Sequence, residues 1–342
     1  MSLNRINNNN SLAMTLLKGR TLIVLAVLVV FFSLATPNFL TANTMLLLAK
    51  HVALYGILAI GMTYVIITGG IDLSVGAVVG LAGMIAGGMI QNGVTLQTFG
   101  VTLYFDVPLV VAITVLAGAL IGLLNGTIIT RFGVAPFIAT LGTMYIARGF
   151  AMLHSGGATY SSILGKAALG NTGFDFFGSR IAGVPVGALI LAVIAAIAAA
   201  LLMKTTFGWH IFAIGGNSKA AKLSGVKVNK VTILVYVFSG ICAAIVGIIT
   251  ASQLEASHPA SGETWEMNAI AAAVLGGTSM MGGVGTIGGT IIGAFVIGVI
   301  SDGMVMCGVS EFSASSRRPL DQFQRNMEAK MALQARNESK EA

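Results

Sequence analysis

The sequence predicts an all-α, polytopic membrane protein of about nine transmembrane helices, and three observations carry that. Of 342 residues, 56% are hydrophobic and only 9% are charged, against roughly 25% charged in a soluble domain. The apolar residues fall in runs near the length of about 20 that a helix needs to cross a bilayer core. Glycine is abundant, at 44 residues, and much of it recurs every fourth residue, the spacing that lets membrane helices approach closely. So few charges cannot cover a soluble surface. The composition excludes an ordinary cytosolic enzyme, a disordered chain and a nucleic-acid binder.

Spans are expected at 21–36, 45–68, 72–91, 108–130, 135–153, 183–203, 230–251, 267–282 and 286–307. The third, fifth and eighth are short or broken by glycine. A run of asparagines at 7–10 and the lack of an A-x-A site argue against reading the first span as a cleaved signal. The domains follow: an N-terminal arm over 1–20, a membrane domain over 21–307 and a polar tail over 308–342. Cys242 and Cys307 lie in apolar runs and read as small core residues, with no metal or disulfide spacing.

Basic residues set the expected orientation. The arm carries Arg5, Lys18 and Arg20; the segment 204–230 carries Lys204, Lys219, Lys222, Lys227 and Lys230; Arg131 marks another short turn. With a cytoplasmic N-terminus and alternating spans, all three fall on the cytoplasmic side. The loop 252–266, with Glu255, Glu263 and Glu266, then falls outside.

The glycine stripes Gly76, Gly80, Gly83 and Gly87, then Gly118, Gly122 and Gly126, then Gly285, Gly289 and Gly293 read as helix-packing faces. Gly283 to Gly288 match a dinucleotide fingerprint literally, but no βαβ unit surrounds them, so the match is a decoy. No Walker A sequence, nucleophile elbow or metal-ligand cluster is present, which makes catalysis by this chain unexpected.

Few polar residues interrupt the spans, and each carries two readings. Asp72, between Gly70 and Ser74, either caps the next helix or serves a broken helix beside a cavity. Lys50 and His51 either snorkel to an interface or line a substrate path. Asn125, Arg148 and Asp302 either line that path or pair across helices.

The segment 205–229 is a long basic connection containing a short predicted helix. Asn217 suits its N-cap and Gly225 its C-terminal stop, with Ala220 and Ala221 giving it a small, smooth face for a groove on a partner. This segment resembles the coupling loop of binding-protein-dependent ABC importer permeases of the ribose/xylose/galactose type. Three further stretches resemble the same family: Gly61–Thr63 with Thr68–Gly76, Pro136–Gly142 with Arg148 and Gly149, and Asn268–Ser279 running on to Gly282, Gly283 and Gly285. The resemblance covers roughly 20–310.

That resemblance implies a type II importer-like permease in a bacterial inner membrane, importing a monosaccharide or related polyol. Two permease chains, identical or paralogous, would form a path through the lipid. A cytoplasmic ATPase would receive the coupling helix and hold ATP and Mg²⁺, so this chain needs no cofactor of its own. A periplasmic sugar-binding protein would deliver cargo. Family members carry one more apolar span after the match to Gly308–Ser310. Here Glu311–Leu320 leads straight to a polar tail, so the pattern of ten spans is reduced to nine, and a non-functional product is one alternative. An ion-coupled secondary transporter is the other, with Asp72 and Asp302 as its candidate carboxylates.

Overall fold

The computed structural model describes residues 20–96 and 100–308. The arm before residue 20 and the tail after 308 lie outside the described residues, and so does the side of the membrane on which the tail falls.

Among the described residues, ten α-helices account for the expected spans and one addition. They are α1 (Arg20–Ala35), α2 (Ala42–Ile67), α3 (Val75–Gln91), α4 (Val107–Phe132), α5 (Pro136–Ser155), α6 (Val186–Lys204), α7 (Thr206–Leu223), α8 (Val228–Leu254), α9 (Trp265–Leu275) and α10 (Ile287–Met306). Six of them, α2, α4, α5, α6, α8 and α10, are long and apolar enough to cross a membrane; α1, α3 and α9 are shorter apolar helices. The helix boundaries have local causes. Thr41 caps α2 and Thr286 caps α10 through their side-chain oxygens, while Pro108 and Pro136 sit in the first turns of α4 and α5, where a missing N–H costs nothing.

The core lies where α2 and α8 cross the bundle. Both are largely buried, whereas α4, α5 and α6 each leave a broad apolar face outward. Tyr64 of α2 donates to the Ala198 carbonyl of α6 at 2.6 Å and packs on Phe238 of α8. Along α4, Gly118, Gly122 and Gly126 face the backbone of Gly240, Tyr236 and Ile233 on α8. Here small residues bring two helices into contact, as the spacing predicts.

The same spacing on α3 has a different partner. Opposite Gly76 and Gly80 lies the irregular chain that follows α8, together with one side chain from a neighbouring helix at each: a Cβ on Gly80 would sit 2.6 Å from Arg148 Nη1 of α5, 2.8 Å from the Ser261 carbonyl oxygen and 2.9 Å from that of Pro259. Gly76 meets the Gly262 carbonyl and the Glu266 carboxylate, and Gly87 meets Ser257. The third stripe is also divided. Gly289 and Gly293 pack α10 on the backbone of Gly276 and Ala272, but Gly285 precedes the helix and rests on Ile67 and Thr278. Gly76 and Gly80 thus admit loop backbone along with the Glu266 and Arg148 side chains of α9 and α5, and Gly285 lies just outside its helix.

Two spans are shorter than expected. The third begins at Val75 rather than 72, after a turn over Thr68–Ser74. The eighth contains only the 11 residues of α9, and 276–286 is a turn. A lid of short elements closes one end: β1 (Tyr160–Ser161) pairs antiparallel with β2 (Ala256–Ser257), and a 3-10 turn (Phe174–Gly178) bonds the Ser252 hydroxyl. We call this the lid end, and the opposite one the α7 end.

Candidate functional site

At the α7 end, the connection 205–229 is mostly helix rather than loop. α7 runs from Thr206 to Leu223 and breaks at Asn217, whose φ of −161° and ψ of 101° are extended. The break frees the Asn217 side chain, and its Oδ1 accepts from the Ala220 N–H at 3.0 Å, capping a new short helix. That helix stops at Gly225, which adopts φ +88°. Gly225 N–H donates to the Lys222 carbonyl and Val226 N–H to that of Ala221, the paired bonds of a Schellman motif.

The two alanines divide the work. Ala221 is buried in the main core, tying the short helix to the bundle, while Ala220 faces out. The smooth face is therefore Ala220 alone, flanked by exposed Lys219, Lys222 and Leu223, the last 90% exposed. Behind the break, Gly215 lies on the backbone of Gly282 and Gly283, and the Gly283 N–H donates to the Ile67 carbonyl at 2.9 Å. The turn between α9 and α10 thus braces the end of α2 and the kink of α7 together.

Deeper in the bundle, Asp72 and Asn125 meet through Ser74. Asp72 Oδ1 accepts from the Ser74 N–H at 3.0 Å and from its hydroxyl at 2.6 Å, and Oδ2 accepts from the Ser239 hydroxyl at 2.9 Å. Asn125 Nδ2 donates to Ser74 Oγ at 2.9 Å, and the Thr143 hydroxyl donates to Asn125 Oδ1. Thr140 accepts from the Leu73 N–H at 3.1 Å. Asp72, Ser74, Asn125, Thr140 and Thr143 are all buried. The knot joins the start of α3 to α4, α5 and α8. Ser74 makes no side-chain cap bond, so Asp72 shapes the turn before α3 rather than capping the helix itself. Sequence reasoning missed the threonines, whose role exists only once α5 lies against that turn.

Lys50 and Asp302 belong to a separate region nearer the lid end. Asp302 Oδ1 is 2.6 Å from His51 Nδ1, the one ion pair among the described residues. Asp302 Oδ2 is buried with no hydrogen-bond partner. Lys50 is half-buried beside His51 on α2. The structure therefore brings Asp72 together with Asn125, and Asp302 together with His51, but does not join the two pairs.

A further charged group lies at the break before α9. Arg148 Nη1 donates to the Pro259 carbonyl at 2.5 Å and to the Ser261 carbonyl at 2.9 Å. Glu263 and Glu266 lie close enough to act on its charge. The loop 252–266 is thus not a simple outer connection: from Ser257 it descends along α3, past Gly87, Gly80 and Gly76, to Glu266. The glycines of α3 were the available signal, but their spacing does not say that an irregular strand fills the groove. No group of His, Cys, Asp or Glu able to hold a metal occurs among the described residues.

Comparison with known proteins places this architecture. The family model described as branched-chain amino acid transport system / permease component matches residues 44–329. The ribose import permease protein RbsC of Bacillus subtilis (strain 168) is 42% identical, over 84% of this chain and 85% of that one. The D-allose transport system permease protein AlsC of Escherichia coli (strain K12) is 33% identical over 86% of each. The xylose transport system permease protein XylH of Haemophilus influenzae (strain ATCC 51907 / DSM 11121 / KW20 / Rd) is 32% identical, over 85% of this chain and 90% of that one. No solved structure matches. With the family model spanning most of the membrane bundle, and with relatives of this identity along most of their own length, the chain belongs to the permease-component family of these transport systems.

Proposed function

We propose that this chain is the membrane-spanning permease subunit of an ABC importer for a monosaccharide. It sits in the bacterial inner membrane with its N-terminus cytoplasmic, paired with a second permease chain. ATP and Mg²⁺ are held by a separate cytoplasmic ATPase, and a periplasmic binding protein delivers the sugar. The names of the ribose, allose and xylose permeases support a sugar as cargo. Which of them it is depends on the binding protein.

One observation carries the coupling role: the short helix between Asn217 and Gly225. It is capped at both ends, anchored inward by Ala221 and braced from behind by the 282–283 turn. The short helix is linked to the α2 terminus in two steps, Gly215 before the break resting on the 282–283 turn and the Gly283 N–H donating to the Ile67 carbonyl, so its outer face at Ala220 does not hang on a loose loop. The flanking lysines favour an acidic groove on the partner.

Uptake of radiolabelled ribose, xylose and allose into membrane vesicles tests the reading, with the cognate ATPase and binding protein supplied. Import that needs both ATP and the binding protein is the expected result. Import driven by an ion gradient alone would replace the reading with a secondary transporter, in which the Asp302 carboxylate is the first group to examine. Import only after an apolar span is restored beyond Phe312 would make this chain an inactive permease.

A further inference from the structure

The descent of 257–266 along α3 puts irregular backbone and charge at membrane depth. α3 has 17 residues, about 25 Å of helix at 1.5 Å per residue. The Pro259 and Ser261 carbonyls lie at the level of Gly80, and Gly262 and Glu266 at that of Gly76, near the end of α3 away from the lid. The backbone there is satisfied by tight turns, Ser261 N–H to His258 O, Glu263 N–H to Ala260 O and Trp265 N–H to Gly262 O, and by the guanidinium of Arg148. What the turns do not hide are side chains. His258, Glu263 and Thr264 are exposed, Met267 follows on the first turn of α9, and Tyr145 stands one turn before Arg148 on α5, 69% exposed.

Hydrocarbon does not accept such a face. Non-helical chain at that depth occurs only where it is buried in protein or borders water. Ionisable groups within spans likewise face a bundle interior or a wet cavity. Arg148 cannot snorkel to an interface, because two backbone carbonyls hold it at the Gly80 level. We infer that the face formed by Tyr145, Arg148, Glu263 and Thr264 is the wall of a water-filled path through the membrane, with the 257–266 segment as its lining. That the path carries sugar rests on the importer reading above. The chemistry suits it: a carboxylate and a guanidinium exchange hydrogen bonds with vicinal hydroxyls, and an aromatic ring accepts the apolar face of a sugar ring. Within this wall Arg148 is a positioning residue, holding the segment in place through its carbonyls.

The test uses the assembled permease–ATPase complex in vesicles, with Cys307 replaced by serine and the buried Cys242 retained. Glu263→Cys and Thr264→Cys are probed with a charged, membrane-impermeant methanethiosulfonate. Leu120→Cys on α4 and Val193→Cys on α6, exposed on the apolar outer face, serve as lipid-facing controls. The inference expects both wall positions to be labelled, the controls to remain unlabelled, and labelling to change when ATP is added. Wall cysteines as unreactive as the controls, in a complex that still imports sugar, would overturn it. Labelled wall positions, together with no sugar import by the complex without these substitutions, would leave the wall standing and remove the importer reading. Arg148→Lys, which retains a donor for the carbonyls, is expected to keep the labelling pattern that Arg148→Ala loses.

Discussion

Two faces of this molecule carry the same glycine spacing and use it differently. On α4, Gly118, Gly122 and Gly126 admit the backbone of α8, and the result is a regular seam between two long helices. On α3, Gly76 and Gly80 admit the carbonyls of a non-helical segment, and the Arg148 guanidinium that binds those carbonyls lies against Gly80 as well. Small residues thus specify a close approach and leave its partner open. A helix brings its own hydrogen bonds to the seam, whereas an irregular strand must have them supplied. The second face therefore needs a charged side chain and a row of turns, and its outer surface remains polar. The seam is scaffold, and the groove is where the bundle can admit water.

Substitutions that separate the two faces come first because their effects are largest. Gly122→Leu drives its side chain into the Tyr236 and Val237 backbone, and Gly80→Leu does the same to the Pro259 and Ser261 carbonyls. Overpacking costs typically about 1–3 kcal/mol and more where backbone must move. Both variants should lose thermal stability in detergent, but Gly80→Leu should also displace the segment and abolish uptake in whatever protein remains folded. If Gly80→Leu transports normally, the groove is not part of the path.

Asp72→Ala sharpens the contrast between buried knot and open groove. It strands the Ser74 N–H and the Ser74 and Ser239 hydroxyls in a buried site, where each unmet group costs about 1–3 kcal/mol. A drop in melting temperature with Asp72→Ala, and a smaller one with Asp72→Asn, is the expected pattern. Equal stability in all three proteins would remove the structural role assigned to this carboxylate.

Next is Asn217→Ala, which deletes the side-chain cap of the short helix. Caps are worth about 1 kcal/mol, so the fold should survive while ATP-dependent uptake falls. An unchanged uptake rate would show that the capped helix does not transmit force. The smallest effect is expected at Gly142, where a Cβ meets nothing within 4 Å. Gly142→Ala should be neutral or stabilising by up to about 1 kcal/mol, because alanine favours helix. A large loss there would mean that another chain packs on that face of α5.

Much of the bundle was legible from residue order, because hydrophobic run length maps directly onto membrane thickness. Each expected span contains one helix, and the glycines of α4 point to a true seam. The ends of the short 217–225 helix were also legible, since capping is local: Asn217 and Gly225 act on groups within four residues. What escaped depends on contacts between distant segments. Run length could not show that α9 stops at Leu275, because the uncharged, glycine-rich 276–286 extends the run without a charge to end it, yet folds as a turn against Ile67 and Gly215. Nor could charge counting show that Glu266 lies buried beside Gly76 rather than in an outer loop. Ala221 looked equivalent to Ala220, and only the helix's seat on the core separates them.

The functional account turns on which end of the bundle receives the ATPase, and cross-linking measures that directly. Cysteines placed singly at Ala220, on the outer face of the short helix, and at exposed His258, toward the lid end, can be offered to a cysteine-bearing ATPase subunit in the assembled complex. The account predicts a disulfide to Ala220→Cys, formed without loss of the complex, and none to His258→Cys. A cross-link at His258→Cys, or none at Ala220→Cys in a complex that imports sugar on ATP, would contradict it.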